Sequence, residues 1–256
     1  MAENQNNTMV QEAPLTDDLF ERIGTEGLSG EDIGKQSLTY WADVWRRFRS
    51  NKMALLGLIL LVLVICLLFA GPMMSGKDYQ FINTAVKNQG PSSEYWFGTD
   101  NLGRDYWCQV WYATQTSVKL AAIVALGECI MGVSIGCIWG YVRKADRFFT
   151  ELYNIFDSVP TMIYMTLIAL FIGQTFWIMC ASIILFHWMY MAKNVRNLVF
   201  MYRDREYNLA SRCLGTKLFR ILTKNILPYL ISVIILRVAL SIPSTIALET
   251  TLSYLG

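Results

Sequence analysis

Residues 53–70, MALLGLILLVLVICLLFA, hold no charged side chain, and thirteen of them are Leu, Ile, Val or Phe. On the membrane-insertion scale those residues together favour the bilayer by about 4 to 8 kcal/mol. Wound as a helix, the run is about 27 Å long, enough to cross the hydrocarbon core. Gly71 and Pro72 follow and are expected to stop the helix. The composition agrees with a membrane chain. Of 256 residues, 54% are hydrophobic and 16% charged, and mean hydropathy is +0.34. Soluble domains carry about 25% charged residues, so a soluble enzyme is excluded. A net charge of +2 gives no reason to expect a nucleic-acid partner.

Outward from this run, residues 1–40 are rich in Asn, Gln, Glu, Asp and Gly and read as a mobile cytoplasmic N-terminal tail. No cleavable signal peptide is expected, because the first apolar run begins only at Met53. In 41–52, Trp41, Trp45 and Phe48 share one helical face, with Arg46, Arg47, Arg49 and Lys52 largely elsewhere. This is either a basic-aromatic helix lying in the membrane interface or the basic flank of the first membrane helix, 53–70. Both place this end in the cytoplasm. Further membrane segments read as 117–141, 159–172 (starting earlier and kinked by Pro160), 175–190 and 226–248. Residues 46–52, 142–147 and 193–225 hold fifteen Lys or Arg, whereas 71–116, about as long as the three combined, holds three. The positive-inside rule then makes 71–116 an extracellular loop and the others cytoplasmic. Five crossings alternate without conflict, and the odd number suggests a sixth helix missing from this chain. The six cysteines are scattered, form no CxxC and share the chain with one histidine, so no disulfide framework, metal site or redox role is expected.

Polar residues inside the apolar segments are candidates for special roles. Gly132, Gly136 and Gly140 follow Glu128 at i+4 steps, two overlapping GxxxG patterns that let another helix approach closely. Glu128 on that seam must be protonated, paired or wet. In the fifth segment Arg237, Ser241 and Ser244 fall at i, i+4 and i+7, with Thr245 and Glu249 flanking. Arg237 is expected to face a water-filled translocation path or a carboxylate within the bundle. His187 stands alone near the cytoplasmic end of its segment and reads as a packing residue.

The basic segment 193–225, KNVRNLVFMYRDREYNLASRCLGTKLFRILTKN, is longer than a connection needs. It carries a short helix signal: Asp204 as N-cap, small residues at Ala210 and Ser211, and Gly215 as a C-terminal stop. Glu206, Ala210 and Gly215, followed by Ile226-Leu227-Pro228, resemble the EAA signature of ABC importer permeases. FGTDNLGRD (97–105) is similar to the FGTDxxGRD stretch of the C-type permease subunit of peptide importers. WRRFRSNKMALLG (45–57) and LETTLSYLG (248–256) resemble two further stretches of that peptide/nickel family, all in the family's order. The chain departs from it at Ser211, usually Ala, at ATQTSVKL (113–120), where the family has Gly-x-Arg-x-Ser-Leu, and at Arg237, usually uncharged.

The resemblance implies an all-α, polytopic membrane protein of the type I ABC importer permease architecture, with 117–256 as the permease core and 193–225 as its cytoplasmic coupling loop. It implies import of oligopeptides or dipeptides by alternating access across the bacterial plasma membrane. The same class importing nickel or another small solute, and a non-transporting membrane scaffold, are the rivals. Glu206, Ala210, Ser211 and Gly215 would couple to ATPase subunits; Arg237, Ser241, Ser244 and Thr245 would line the path. Expected partners are a second homologous permease, two ATP-binding subunits docking on 204–215, an extracellular peptide-binding protein and membrane lipid. The chain has no GxxxxGK[ST] phosphate loop, so it is expected to be no enzyme and to hold no cofactor, with ATP and Mg used by the partner ATPases.

Overall fold

In the computed structural model, residues 40–255 are described; the expected tail falls almost wholly outside them. The described chain divides into a short unit ending at Leu60 and a larger one beginning at Leu61. The short unit opens with α1, Tyr40–Ser50. In it Trp45 and Phe48 stack at 5.8 Å, while Asp43 takes hydrogen bonds from Arg46 at 2.8 Å and Arg47 at 2.7 Å. One carboxylate thus pairs with two of the helix's three cations and offsets one of their charges. The Asn51 side chain accepts from the backbone N–H of Met53 and Ala54, capping α2, Lys52–Ser75.

Helix α2 does not stop at Gly71-Pro72. A proline inside a helix removes the bond to the carbonyl four residues back, here Leu68, and that carbonyl accepts from Gln115 Nε2 at 2.6 Å instead. The Gly71 carbonyl accepts from Trp107 Nε1 at 2.7 Å. Both donors lie on α3, Tyr106–Tyr141, so side chains of the next span restore what the proline takes away. The loop expected over 71–116 therefore shrinks to 76–105. Asp105 caps α3 by accepting from the Trp107 N–H, and α3 starts well before residue 117.

Residues 143–172 form two helices rather than one kinked segment. Helix α4, Arg143–Asp157, is amphipathic; α5, Thr161–Ile172, is apolar; they meet at 74° across Ser158–Pro160. Proline restricts the residue before it to extended backbone, which accounts for the break at Val159. Gly173, at φ +106, ends α5. Helix α6, Phe176–Arg203, overruns the expected 175–190, so Lys193 to Arg203 continue a membrane helix instead of opening a loop. Then come α7, Glu206–Cys213, a single turn α8, Leu218–Arg220, six residues of π-helix, Ile221–Ile226, and α9, Leu227–Leu255, which extends beyond the expected 226–248 at its C-terminal end.

Among the described residues four helical stretches are long and apolar enough to cross a membrane, five if α4 and α5 form one span, and no strand is present. In the larger unit α3 and α6 pack along their lengths and α9 lies against α3. Lipid is as apolar as leucine, so shape rather than the hydrophobic effect holds such helices together. The glycine seam supplies that shape. A Cβ on Gly136 would lie 2.6 Å from the Ala192 carbonyl oxygen, and one on Gly140 2.6 Å from that of Arg196. At Gly132 it would meet Met191 Cγ at 2.5 Å.

Candidate functional site

Two groups of residues stand out in the larger unit. The first surrounds α7. Its sequence, EYNLASRC, turns one face inward: Asn208 is fully buried, donating to the Tyr202 carbonyl at 2.8 Å and accepting from Asn225 Nδ2 at 3.2 Å. Asn225 also donates to Ser211 Oγ at 3.1 Å, tying α7 to the π-helical turn. Arg212 donates from Nε to the Tyr141 hydroxyl at 2.9 Å, at the end of α3. Arg203, the last residue of α6 and buried, reaches the Gly140 carbonyl at 3.3 Å. The ends of α3 and α6 and the π-helical turn leading into α9 are thereby fastened to one short helix.

Asp204 is not the N-cap of α7. Arg203 binds it at 3.0 Å and Arg212 lies 3.7 Å away, so its carboxylate serves the cations instead. The Arg203 guanidinium holds the Asp204 carboxyl below the usual carboxylate range, with burial opposing. Gly215 has φ +73, a conformation open to glycine at no steric cost, and the N–H of Thr216 bonds back to the Ser211 carbonyl. The outward face of α7 carries Glu206, Tyr207, Leu209, Ala210 and Cys213, all exposed, and beyond it Leu214 is 85% exposed.

The second group lines a cleft of about 390 Å³ among α3, α6 and α9. Glu128, His187 and Arg237 share it, with Ser241, Ser244 and Asn194. His187 is thus no isolated packing residue near a helix end: α6 continues to Arg203, and His187 Nδ1 lies 3.5 Å from Glu128 Oε1. Sequence reasoning missed this because the register between residues 128 and 187 is set by the glycine seam and invisible in either segment alone. Arg237 faces the cleft but forms no ion pair or hydrogen bond among the described residues. Ser241 donates to the Val238 carbonyl at 3.0 Å and Ser244 to that of Ser241 at 2.8 Å, within their own helix. Thr245 is set apart from them: it is 1% exposed and packed, outside the cleft. Glu249 accepts from Ser117 at 2.9 Å and also lies elsewhere.

Comparison with known proteins agrees with this architecture. Residues 132–256 match the family described as "binding-protein-dependent transport system inner membrane component", and residues 39–91 match the "N-terminal TM domain of oligopeptide transport permease C". The chain is 32% identical over 241 residues to the oligopeptide transport system permease protein AmiD of Streptococcus pneumoniae, covering 93% of this chain and 78% of that one. It is 34% identical over 239 residues to the oligopeptide permease OppC of Bacillus subtilis, again covering 93% and 78%. With the dipeptide permease DppC of the same organism it shares 30% over 247 residues, 96% of this chain and 77% of that one. An all-helical multi-pass membrane chain that carries both domains, aligned over nearly its whole length, belongs to the binding-protein-dependent ABC transport permeases as a C-type subunit of the peptide permeases.

Proposed function

We propose that this chain is one of two permease subunits through which an ATP-driven importer carries oligopeptides or dipeptides across the bacterial plasma membrane. Separate ATPase subunits dock on the 204–215 segment, an extracellular peptide-binding protein delivers cargo, and the N-terminus lies in the cytoplasm, a placement the lysine and arginine distribution supports. The observation that carries the reading is the two-sided character of α7. Its inner face is fastened to the ends of α3 and α6 and to the π-helical turn that leads into α9 through Arg212, Asn208 and Ser211, while Tyr207, Leu209, Ala210 and Leu214 face outward uncovered. A connector needs neither. A helix gripped from outside and fastened inside transmits displacement: when nucleotide closes the ATPases, α7 moves, and the ends of α3, α6 and α9 move with it. Such coupling requires the docked helix to contact the two ATPase states differently. Arg237, Ser241 and Ser244 line the path that switches sides.

Ala210→Arg tests the coupling. Ala210 is exposed, so the larger side chain leaves the fold of the chain intact and obstructs only a docked partner. The purified complex is expected to insert normally and to lose ATPase subunits, or to hydrolyse ATP without uptake. Gly215→Val is expected to act in the same direction at a local cost of about 1–2 kcal/mol, because φ +73 strains a β-branched residue. Full uptake with normal ATPase retention in Ala210→Arg would reduce 204–215 to a connector.

A further inference from the structure

We infer that the cleft among α3, α6 and α9 recognises a zwitterion, a short peptide with free termini, whose ammonium end meets Glu128 and whose carboxylate end meets Arg237. This rests on the peptide-import reading above and specifies what the path selects.

The two charges are the starting point. Glu128 is 6% exposed, yet its Oε1 accepts no hydrogen bond among the described residues. Its neighbour His187 Nδ1, at 3.5 Å, is too far for a strong charge-assisted bond, and His187 Nε2 is unsatisfied too. Arg237 lines the same cleft from α9 and has no carboxylate within ion-pairing distance among the described residues. An uncompensated buried carboxylate is strongly destabilising, and Arg237, exposed on a membrane-spanning helix, is costly there unless it is wet or paired. Left apart, each needs a counter-charge, and the pair together asks for a ligand carrying one of each sign. A peptide with free termini is such a ligand at neutral pH.

The rest of the lining suits that ligand. Ser241 and Ser244 have committed their protons to backbone carbonyls, so they offer oxygen acceptors to peptide N–H groups. Tyr190 and Thr161, with hydroxyls 3.4 Å apart, can serve as donor or acceptor. A volume of about 390 Å³ lies in the range of small-ligand sites, about 300–1,000 Å³.

The experiment uses the complete transporter in liposomes, supplied with saturating cargo-loaded binding protein so that capture of cargo is not limiting. Uptake and ATP turnover are measured with a short peptide in three forms: free termini, N-acetylated and C-amidated. Glu128→Gln is expected to slow the free peptide about tenfold and to leave the N-acetylated form at the wild-type rate. Arg237→Gln should slow the free peptide similarly and leave the C-amidated form unchanged. An equal loss on all three forms, or none on any, overturns the site. Should Glu128→Gln fail to assemble, Arg237→Gln decides alone, because Arg237 is exposed and makes no bond the fold requires. A wild-type complex that moves none of the three forms overturns peptide import itself; one that moves them while the variants fail to discriminate overturns only the recognition site.

Discussion

The Asp100 carboxylate accepts from the backbone N–H of Leu102 and Arg104, from Arg104 Nε, each at 2.8 Å, and from Gln109 Nε2 at 2.9 Å. Burial alone would raise its pKa, but these bonds prevail and hold it well below the usual carboxylate range. Because the folded value is the lower one, the stabilisation is complete above the unfolded value of about 3.9 and fades as pH falls below it. Asp100→Asn is therefore expected to destabilise the 76–105 connection by about 1.5–3 kcal/mol at neutral pH. Amide exchange over these residues should show it, and the gap between variant and parent should narrow in acid. Gly98 and Gly103, at φ +76 and +75, shape the same turn, and a side chain on either would run into the backbone of Gln89 or Asn83. The FGTDNLGRD stretch was readable as a motif. Its full bonding was not, since it also depends on Gln109 and Gln89, which lie outside the motif.

At the scale of elements, helix existence was legible from apolar runs, whereas helix ends were not. Proline at 72 and the basic residues from Lys193 onward read as stops, and both fail because neighbouring helices supply what the local sequence lacks: Gln115 and Trp107 in the first case, the Gly136 and Gly140 surface of α3 in the second. Backbone contact along that seam makes a sharp prediction. Gly136→Val places carbon against the Ala192 carbonyl and Val195 and is expected to destabilise the α3–α6 pair by about 1–3 kcal/mol or more. Gly57→Val, where a Cβ meets nothing within 4 Å, should shift stability by less than about 0.5 kcal/mol. Thermal unfolding of the two variants in the same detergent compares them directly. The six-residue π-helical stretch at Ile221–Ile226 left no signal in the sequence; it carries Asn225, whose bonds to α7 are tertiary contacts that no local residue preference encodes.

For the molecule as a whole, the orientation proposed from the charge distribution can be measured with thiols. Cys213 is exposed, whereas Cys108 is 1% exposed, its thiol donating to the Lys77 carbonyl at 3.0 Å, so the native pair of cysteines cannot report both sides. Lys87→Cys supplies the missing probe, since Lys87 is exposed in the 76–105 connection. An impermeant reagent should modify residue 87 in intact cells and Cys213 only after permeabilisation; modification of Cys213 from outside would invert the arrangement. Class and crossing segments were legible because insertion free energy is a sum over local residues. The cleft was half legible: Arg237 announced itself as a charge in an apolar run, but its company with Glu128 and His187 emerges only when three distant segments meet. The proline in α2 has a further consequence, one of timing. Leu68 and Gln115 are 47 residues apart, about 2–10 s of synthesis at ordinary elongation rates of about 5–20 residues per second. Throughout that interval the freed carbonyl has no partner in the nascent chain. The bonding around the proline is therefore completed only once the start of α3 has been made.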